Sequence, residues 1–274
     1  EQEAVKAAEQ KKEEAEQYLL ADLADSSNYR SVQRWTNNVI NPALPSTYRF
    51  LEKVTDELIA MYKEAGAPLE RIHYGGDEVP SGVWTKSPAV NQLMQKDSTV
   101  KSINDLWYYF FGNINNMLQR KGLLMYGWEE IAMRKTQRDG KAVYIPNPGF
   151  VNNNFQVDVW NNVIGWGAED LPYQLANAGY KVILSPVSNM YFDLAYQKAF
   201  DEPGQYWGGY MDMDKPFYFI PFDYFKNSTL DIDGNRVTKA FFANKERLTD
   251  YGKEQIPGIQ GLLWAEAVTS PAKM

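Results

Sequence analysis

Five short apolar runs, spaced along the chain and each closed by polar or aromatic residues, most constrain what this sequence can fold into. They occupy residues 71–76, 123–128, 156–160, 181–185 and 259–264. Each has the length of a buried strand, and helical patterns lie between them. Tyr48, Leu51, Val54, Leu58, Ile59 and Tyr62 recur at helical spacing, with Ser46 after Pro45 as the N-cap and Gly66 as the stop. Ile103, Leu106, Trp107, Phe110, Phe111, Ile114, Met117 and Leu118 write a second helix, ended at Gly122. Further helices are expected over 170–178, closed by Gly179, and over 245–251. Strands alternating with helices imply a parallel sheet with crossover helices.

The remaining stretches carry less pattern. Residues 1–17 are almost entirely Glu, Lys, Gln and Ala, which reads as a solvated helix. Residues 22–41 read as an irregular connection, the segment after Trp128 as a polar loop, and residues 201–225 as a long loop rich in Trp, Tyr, Phe, Gly and Pro. There is no internal repeat and no linker, so residues 1–274 are expected to form a single domain.

Chemistry-bearing residues gather just after the strands: Asp77 and Glu78 after the first, Glu129 and Glu130 after the second, Asp193 beyond the fourth, Glu266 after the fifth. Functional groups at successive strand C-termini are the habit of a (β/α)8, or TIM, barrel. A doubly wound sheet would carry a glycine-rich phosphate loop after its first strand, and none is present. The fold class expected is therefore α/β, a partial TIM barrel comprising about strands 4 to 8 with their helices. The first three strands are absent from this chain, which opens at Glu1 in mid-helix pattern as a piece of a longer protein would.

Composition removes several function classes. A formal net charge of -7 disfavours nucleic acid and anionic membranes as partners. No apolar run reaches membrane-spanning length. With no Cys and one His, thiolate metal sites, multi-histidine centres and a Ser-His-Asp hydrolase are poorly supported. Aromatic residues make up 14% of the chain, which suits stacking on sugar rings.

The most informative string is His73-Tyr74-Gly75-Gly76-Asp77-Glu78-Val79, two adjacent carboxylates after two glycines at a strand end. Such a pair can mean metal chemistry, sugar chemistry or a helix cap with a dipole-facing acid. Glycoside hydrolysis usually places two carboxyls on opposite sides of the sugar, and neighbours on a regular strand would diverge. Adjacent acids suit another division of labour. Glu78 serves as general acid, while Asp77 orients an N-acetyl group of the substrate whose carbonyl oxygen attacks the anomeric carbon. Glu78 then needs a raised pKa, to which the like charge of Asp77 contributes.

This string resembles the His-x-Gly-Gly-Asp-Glu signature of glycoside hydrolase family 20, the β-N-acetylhexosaminidases. Pro80-Ser81-Gly82-Val83-Trp84, Asn38-Val39-Ile40-Asn41-Pro42 and Ser46-Thr47-Tyr48 are similar to its bacterial chitobiase branch, and the likeness runs from about residue 15 to residue 268. The resemblance implies an exo-β-N-acetylhexosaminidase that removes terminal N-acetylglucosamine from chitooligosaccharides. It implies a retaining, substrate-assisted mechanism through an oxazolinium intermediate, with no metal or organic cofactor. By the same likeness Asp77, Glu78 and Tyr191 are catalytic, Tyr191 bonding the acetamido carbonyl. Trp128, Trp160 and Trp264 wall the acetamido and sugar pocket, Asp193 and Glu266 hold sugar hydroxyls, and Trp207 is a platform for the next sugar. His73 is a supporting residue, Glu129 and Glu130 are structural, and Trp107 and Tyr108 pack on a helix. Trp84 either belongs to the signature's loop chemistry or simply anchors it; Trp166 and Tyr206 are unassigned.

The family's earlier strands supply an arginine for sugar hydroxyls and an aspartate and histidine that support the site, and none has a counterpart here. The chain alone is therefore expected to be an inactive fragment, with a non-catalytic sugar-binding fragment as the alternative. Open sheet edges would favour self-association. A periplasmic, outer-membrane-attached or secreted location follows from the resemblance only.

Overall fold

Helix ends in this protein follow from its glycines. A computed structural model of the chain describes residues 2–138, 141–151, 155–266 and 270–271; residues 1 and 268, used above as segment ends, lie outside them. Three helices, α2 (Pro45–Glu64), α4 (Asp105–Arg120) and α5 (Leu171–Asn177), end in the same way. Gly66, Gly122 and Gly179 take φ of 63°, 73° and 100°, a left-handed region that side chains with a Cβ resist. That turn lets the next N–H reach back into the helix: Ala67 to the Tyr62 carbonyl, Leu123 to Leu118 and Tyr180 to Leu175, at 2.9, 2.9 and 3.1 Å.

The chain divides into two compact units, Glu1–Met125 and Tyr126–Met274. In the first, α1 (Gln2–Glu16) precedes the irregular segment 22–41, as expected. Helix α2 starts before the expected cap. Leu44 occupies the cap position with no side-chain bond, Pro45 opens the first turn where its missing N–H is no loss, and Ser46 is buried. Strand β1 covers only Arg71–His73, because Gly75 and Gly76, at φ of 66° and 102°, turn the chain out of the extended region. Helix α3 (Pro88–Lys96) has no apolar signature long enough to foresee. It is set by Ser87, whose hydroxyl accepts from the Val90 N–H (3.2 Å) and from Asn41 Nδ2 (3.0 Å) and donates to Asp22 Oδ2 (2.7 Å). Val83, Trp84, Val90, Val100 and Leu106 form the core under this helix.

In the second unit, β2 (Leu124–Trp128), β5 (Gln156–Val159), β6 (Lys181–Leu184) and β7 (Gly258–Ile259) pair in that order, all parallel. The register sets Trp128 opposite Asp158 and Val159 opposite Leu184. Helix α5 is the crossover from β5 to β6, as the sequence pattern demands. The polar loop expected after Trp128 is instead a short 3-10 turn (Glu129–Ala132) and an antiparallel hairpin of β3 (Met133–Arg138) with β4 (Lys141–Pro146). Its middle positions are half-buried or exposed, so no apolar alternation marks it. Helices α6 (Val187–Met190) and α7 (Asp214–Phe217) are single turns, and 201–223 is otherwise without helix or named strand, with a 3-10 turn following at Tyr224–Lys226.

Strand β7 is shorter than expected, yet the chain beyond it stays extended. Gln260 donates to the Leu184 carbonyl, and Leu262 exchanges bonds with Met190 and Phe192. Gly261 permits this approach, since a Cβ there would lie 2.3 Å from the Phe192 ring. The last helix, α8 (Asp250–Glu254), begins later than the expected 245–251, because Thr249 caps it through the Gly252 N–H at 2.9 Å. Among the described residues no helix is long and apolar enough to cross a membrane.

Ser87 is fully buried and fully bonded. Ser87→Ala should lower stability by about 1–3 kcal/mol, read as an earlier urea midpoint with unchanged slope. A midpoint equal to wild type would show that the cap does not hold α3.

Candidate functional site

The acidic loop belongs to the first unit and is built by backbone conformation. After β1, the Gly75 N–H donates to His73 Nδ1 at 3.0 Å, closing a tight turn. Burial pushes the His73 imidazole down to about 4, so it stays neutral and its Nδ1 remains an acceptor. The Asp77 carboxylate lies above Gly75, its Oδ1 3.8 Å from where a Cβ would stand. Glu78 holds φ at 51°, an uncommon conformation for a residue with a side chain. It directs the carboxyl toward Gln33, whose Nε2 donates to Glu78 Oε2 at 2.9 Å.

Solvent reaches both acids, but surrounding protein raises each above its ordinary pKa. For Asp77 the cause is burial, partly offset by its own backbone N–H. For Glu78 burial is again the larger cause, and the negative charge of Asp77 adds to it while the Gln33 bond works against it. The like-charge contribution expected from sequence is present but secondary. Beside the pair lies a pocket of about 250 Å³ lined by Tyr74, Trp84, Trp107 and Phe110 among others. Trp84 is buried, holds φ at 61° and donates Nε1–H to the Ile40 carbonyl at 3.0 Å, so it anchors this loop. Gln33 carries no sequence signal, since it lies 45 positions from Glu78 in a segment without regular structure.

The second unit gathers the expected aromatics into one cluster. Trp128 ends β2, Trp160 follows β5, and Tyr191 follows α6; all three are buried. Ring centroids are 6.0 Å apart for Trp128 and Trp264, 6.3 Å for Tyr191 and Trp264, and 5.8 Å from Trp207 to both Trp160 and Tyr191. Val163, Val187, Leu194 and Met211 pack behind these rings. Asp193 adjoins the cluster: the Trp264 N–H bonds its carboxylate, and its buried Oδ1 has no hydrogen-bond partner among the described residues. Burial raises Asp193, the backbone bonds oppose the rise, and the charge of exposed Glu266 adds to it.

Two buried acids hold this arrangement from behind. Glu129 is 2% exposed and accepts the N–H groups of Trp160 and Asn161, each at 3.1 Å. One carboxylate thus fixes the turn that presents Trp160. Burial, with the charge of Glu130 added, pushes Glu129 well up despite those donors. Asp158, on β5 two residues before Trp160, is raised to about 6 by burial and bonded by Gln260 Nε2 at 3.4 Å. Glu129 reads as structural from sequence, but its partners are 31 and 32 residues away and have no local signature. Among the described residues no group of three or more His, Asp or Glu side chains could hold a metal ion.

The His73 geometry carries a pH dependence. Its folded value of about 4 lies below the ordinary 6.5, so between these the unfolded chain binds a proton that the folded one refuses. Stability from this residue is complete above about 6.5 and is lost as pH falls toward 4. His73→Gln should flatten that slope in denaturation midpoints measured across this window. Parallel profiles for the variant and the wild type would show that His73 is not buried neutral.

A family model described as glycosyl hydrolase family 20, catalytic domain, matches residues 3–274. The chain is 31% identical over 262 residues to a beta-hexosaminidase of Vibrio vulnificus, covering 95% of this chain and 29% of that protein. It is 29% identical over 298 residues to an N,N'-diacetylchitobiase of Vibrio harveyi, covering 95% and 31%. Among solved structures, the exo beta-N-acetylglucosaminidase of this family from Vibrio harveyi, in complex with N-acetylglucosamine, matches with a TM-score of 0.67. That match has 28% identity and covers 93% of this chain and 33% of the other. The chain thus spans about a third of the length of the relatives it matches. Its strand–helix order and mainly parallel sheet fit a TIM-barrel-like fold. On the match over residues 3–274, this chain belongs to glycosyl hydrolase family 20.

Proposed function

We propose that the chain carries catalytic residues of an exo-β-N-acetylhexosaminidase acting on terminal N-acetylglucosamine of chitooligosaccharides, with retention and substrate assistance. The observation that carries this reading is the raised, adjacent Asp77–Glu78 pair, held in a glycine-turned loop after β1. A carboxyl that keeps its proton above the usual range can donate it to a leaving oxygen. A neighbouring carboxylate can accept the acetamido N–H and stabilise the charge of the oxazolinium ion as the amide oxygen attacks.

In this reading Glu78 protonates the glycosidic oxygen and then, as base, takes a proton from the water that opens the oxazolinium ring. Tyr191 donates to the acetamido oxygen, and Trp128, Trp160 and Trp264 supply flat apolar walls to it and to the sugar. Asp193 and Glu266 accept sugar hydroxyl protons, for which the partnerless Asp193 Oδ1 is suited. Trp207 stacks under the next sugar, and His73 supports the acid loop through Gly75. The strands are those expected of the fourth to eighth in a family barrel, all of one catalytic domain, and the protein is expected to meet its chitooligosaccharide substrate in the periplasm, at the outer membrane or outside the cell.

In the intact protein, Glu78→Gln should reduce turnover of the N-acetylglucosamine dimer by roughly 10²–10⁴-fold, the range for general acid catalysis. A nitrophenyl glycoside, whose leaving group needs little protonation, should lose less. Equal losses on both substrates would remove Glu78 from the acid role. With pH, the limb where activity falls on the alkaline side should lie above the ordinary carboxylate range, because Glu78 is raised.

The 274-residue chain by itself is expected to turn over the nitrophenyl substrate little or not at all, because the five-stranded sheet among the described residues does not close an eight-stranded barrel. Turnover equal to that of the intact protein would overturn this expectation, whereas sugar binding without turnover would fit it.

A further inference from the structure

Trp166 lies outside every role given above, yet the chain holds it in a deliberate way. It sits between Gly165 and Gly167, at φ of 103° and 91°, where nothing crowds either glycine within 4 Å. The backbone twist itself, rather than space, requires glycine on both sides. Both glycine N–H groups donate to one oxygen, Glu169 Oε1, at 2.7 and 3.2 Å. Glu169 is 1% exposed, and its other oxygen pairs with Lys245, whose ammonium also donates to the Gly167 carbonyl at 3.0 Å. Burial alone would push this carboxyl up, but Lys245 and the backbone donors outweigh it and hold it below the usual range. A desolvated ion pair of this kind is costly unless every partner is in place.

What the clamp presents is an indole that remains half in water. Trp166 is 51% exposed and stacks on Trp207 with centroids 6.2 Å apart and planes 29° from parallel. At that separation the rings are offset, so together they widen one apolar face. Exposure rises along the row: Tyr191 4% and Trp160 8%, then Trp207 40%, then Trp166 51%. An exposed aromatic row leading out of a buried aromatic cluster fits a ligand with repeated flat apolar faces.

We propose that Trp166 extends the Trp207 platform to the third sugar of a β-linked N-acetylglucosamine chain, so that the site discriminates oligomer length. The proposal rests on the hexosaminidase reading above, with the first sugar against Trp128, Trp160 and Trp264 and the second on Trp207. Glu169 is a positioning residue that sets the indole through the two flanking amides.

The test uses the intact protein with Trp166→Ala and Trp166→Phe, and compares kcat/KM on the N-acetylglucosamine dimer and trimer. Loss of one stacking contact should lower the trimer-to-dimer ratio roughly tenfold in Trp166→Ala, and Trp166→Phe should restore most of it. A melting temperature close to wild type shows that the variant is folded. An equal loss on dimer and trimer would mean that Trp166 only buttresses Trp207, and would overturn the proposal, as would an unchanged ratio. Failure of the wild type to hydrolyse either oligomer or a nitrophenyl β-N-acetylglucosaminide would sink the hexosaminidase reading itself and the proposal with it.

Discussion

Parallel pairing within residues 126–274 is the constraint on which the aromatic cluster depends. Parallel neighbours cannot be joined by tight hairpins, so each connection must cross back before the next strand begins. The C-terminal ends of β2, β5, β6 and β7 therefore lie along one edge of the sheet. Trp128 and Trp160 come to that edge directly from β2 and β5, Tyr191 by way of α6, and Trp264 by the extended chain after β7. Alternation then decides which side chains face the cluster. Asp158 lies on one face of β5 while Val157 and Val159 pack on the other, and a register slip of one residue would exchange them.

The loops beyond the strands need a second device, because their backbone donors have left the sheet. Glu129 and Glu169 solve this in the same manner, each accepting two backbone N–H groups from a turn that carries a tryptophan. Their electrostatics differ. Glu169 has Lys245 and is held below the usual range, whereas Glu129 faces Glu130 and is pushed well up. The first clamp is an ion pair at the rim, and the second a desolvated carboxyl under Trp160. Removing either acceptor would strand two backbone amides.

Much of this was legible in the sequence, for physical reasons that also explain the misses. Strands β2, β5 and β6 and helices α4 and α5 bury enough apolar surface to write their period into the chain, α2 shows the same period with its apolar side chains half-buried or exposed, and the glycine stops of the three helices are local. The β3–β4 hairpin left no trace because neither face is fully buried, and α3 depends on Ser87 bonding to Asp22 and Asn41, far off in sequence. Ser46 looked like a cap, but Pro45 already starts the helix, which places Ser46 inside it. In the site, aromatic and acidic residues after strands could be named one by one. Gln33 beside Glu78 and the amides on Glu129 could not, because a hydrogen bond across 30 or more residues imposes no spacing on the sequence.

Adjacent acids pose the question of which one holds the proton. Both Asp77 and Glu78 are raised by burial. Glu78 starts from the higher ordinary value, 4.5 against 3.8, and the charge of Asp77 acts on it. Gln33 donates to Glu78 Oε2 and works against that rise. Asp77 is stabilised as an anion by its own backbone N–H. Burial thus favours the protonated form of both, while each keeps one donor that favours its anion. The proposed division of labour asks for a proton donor beside an acceptor for an amide N–H, and the loop after β1 supplies the burial and the charge that such a donor needs.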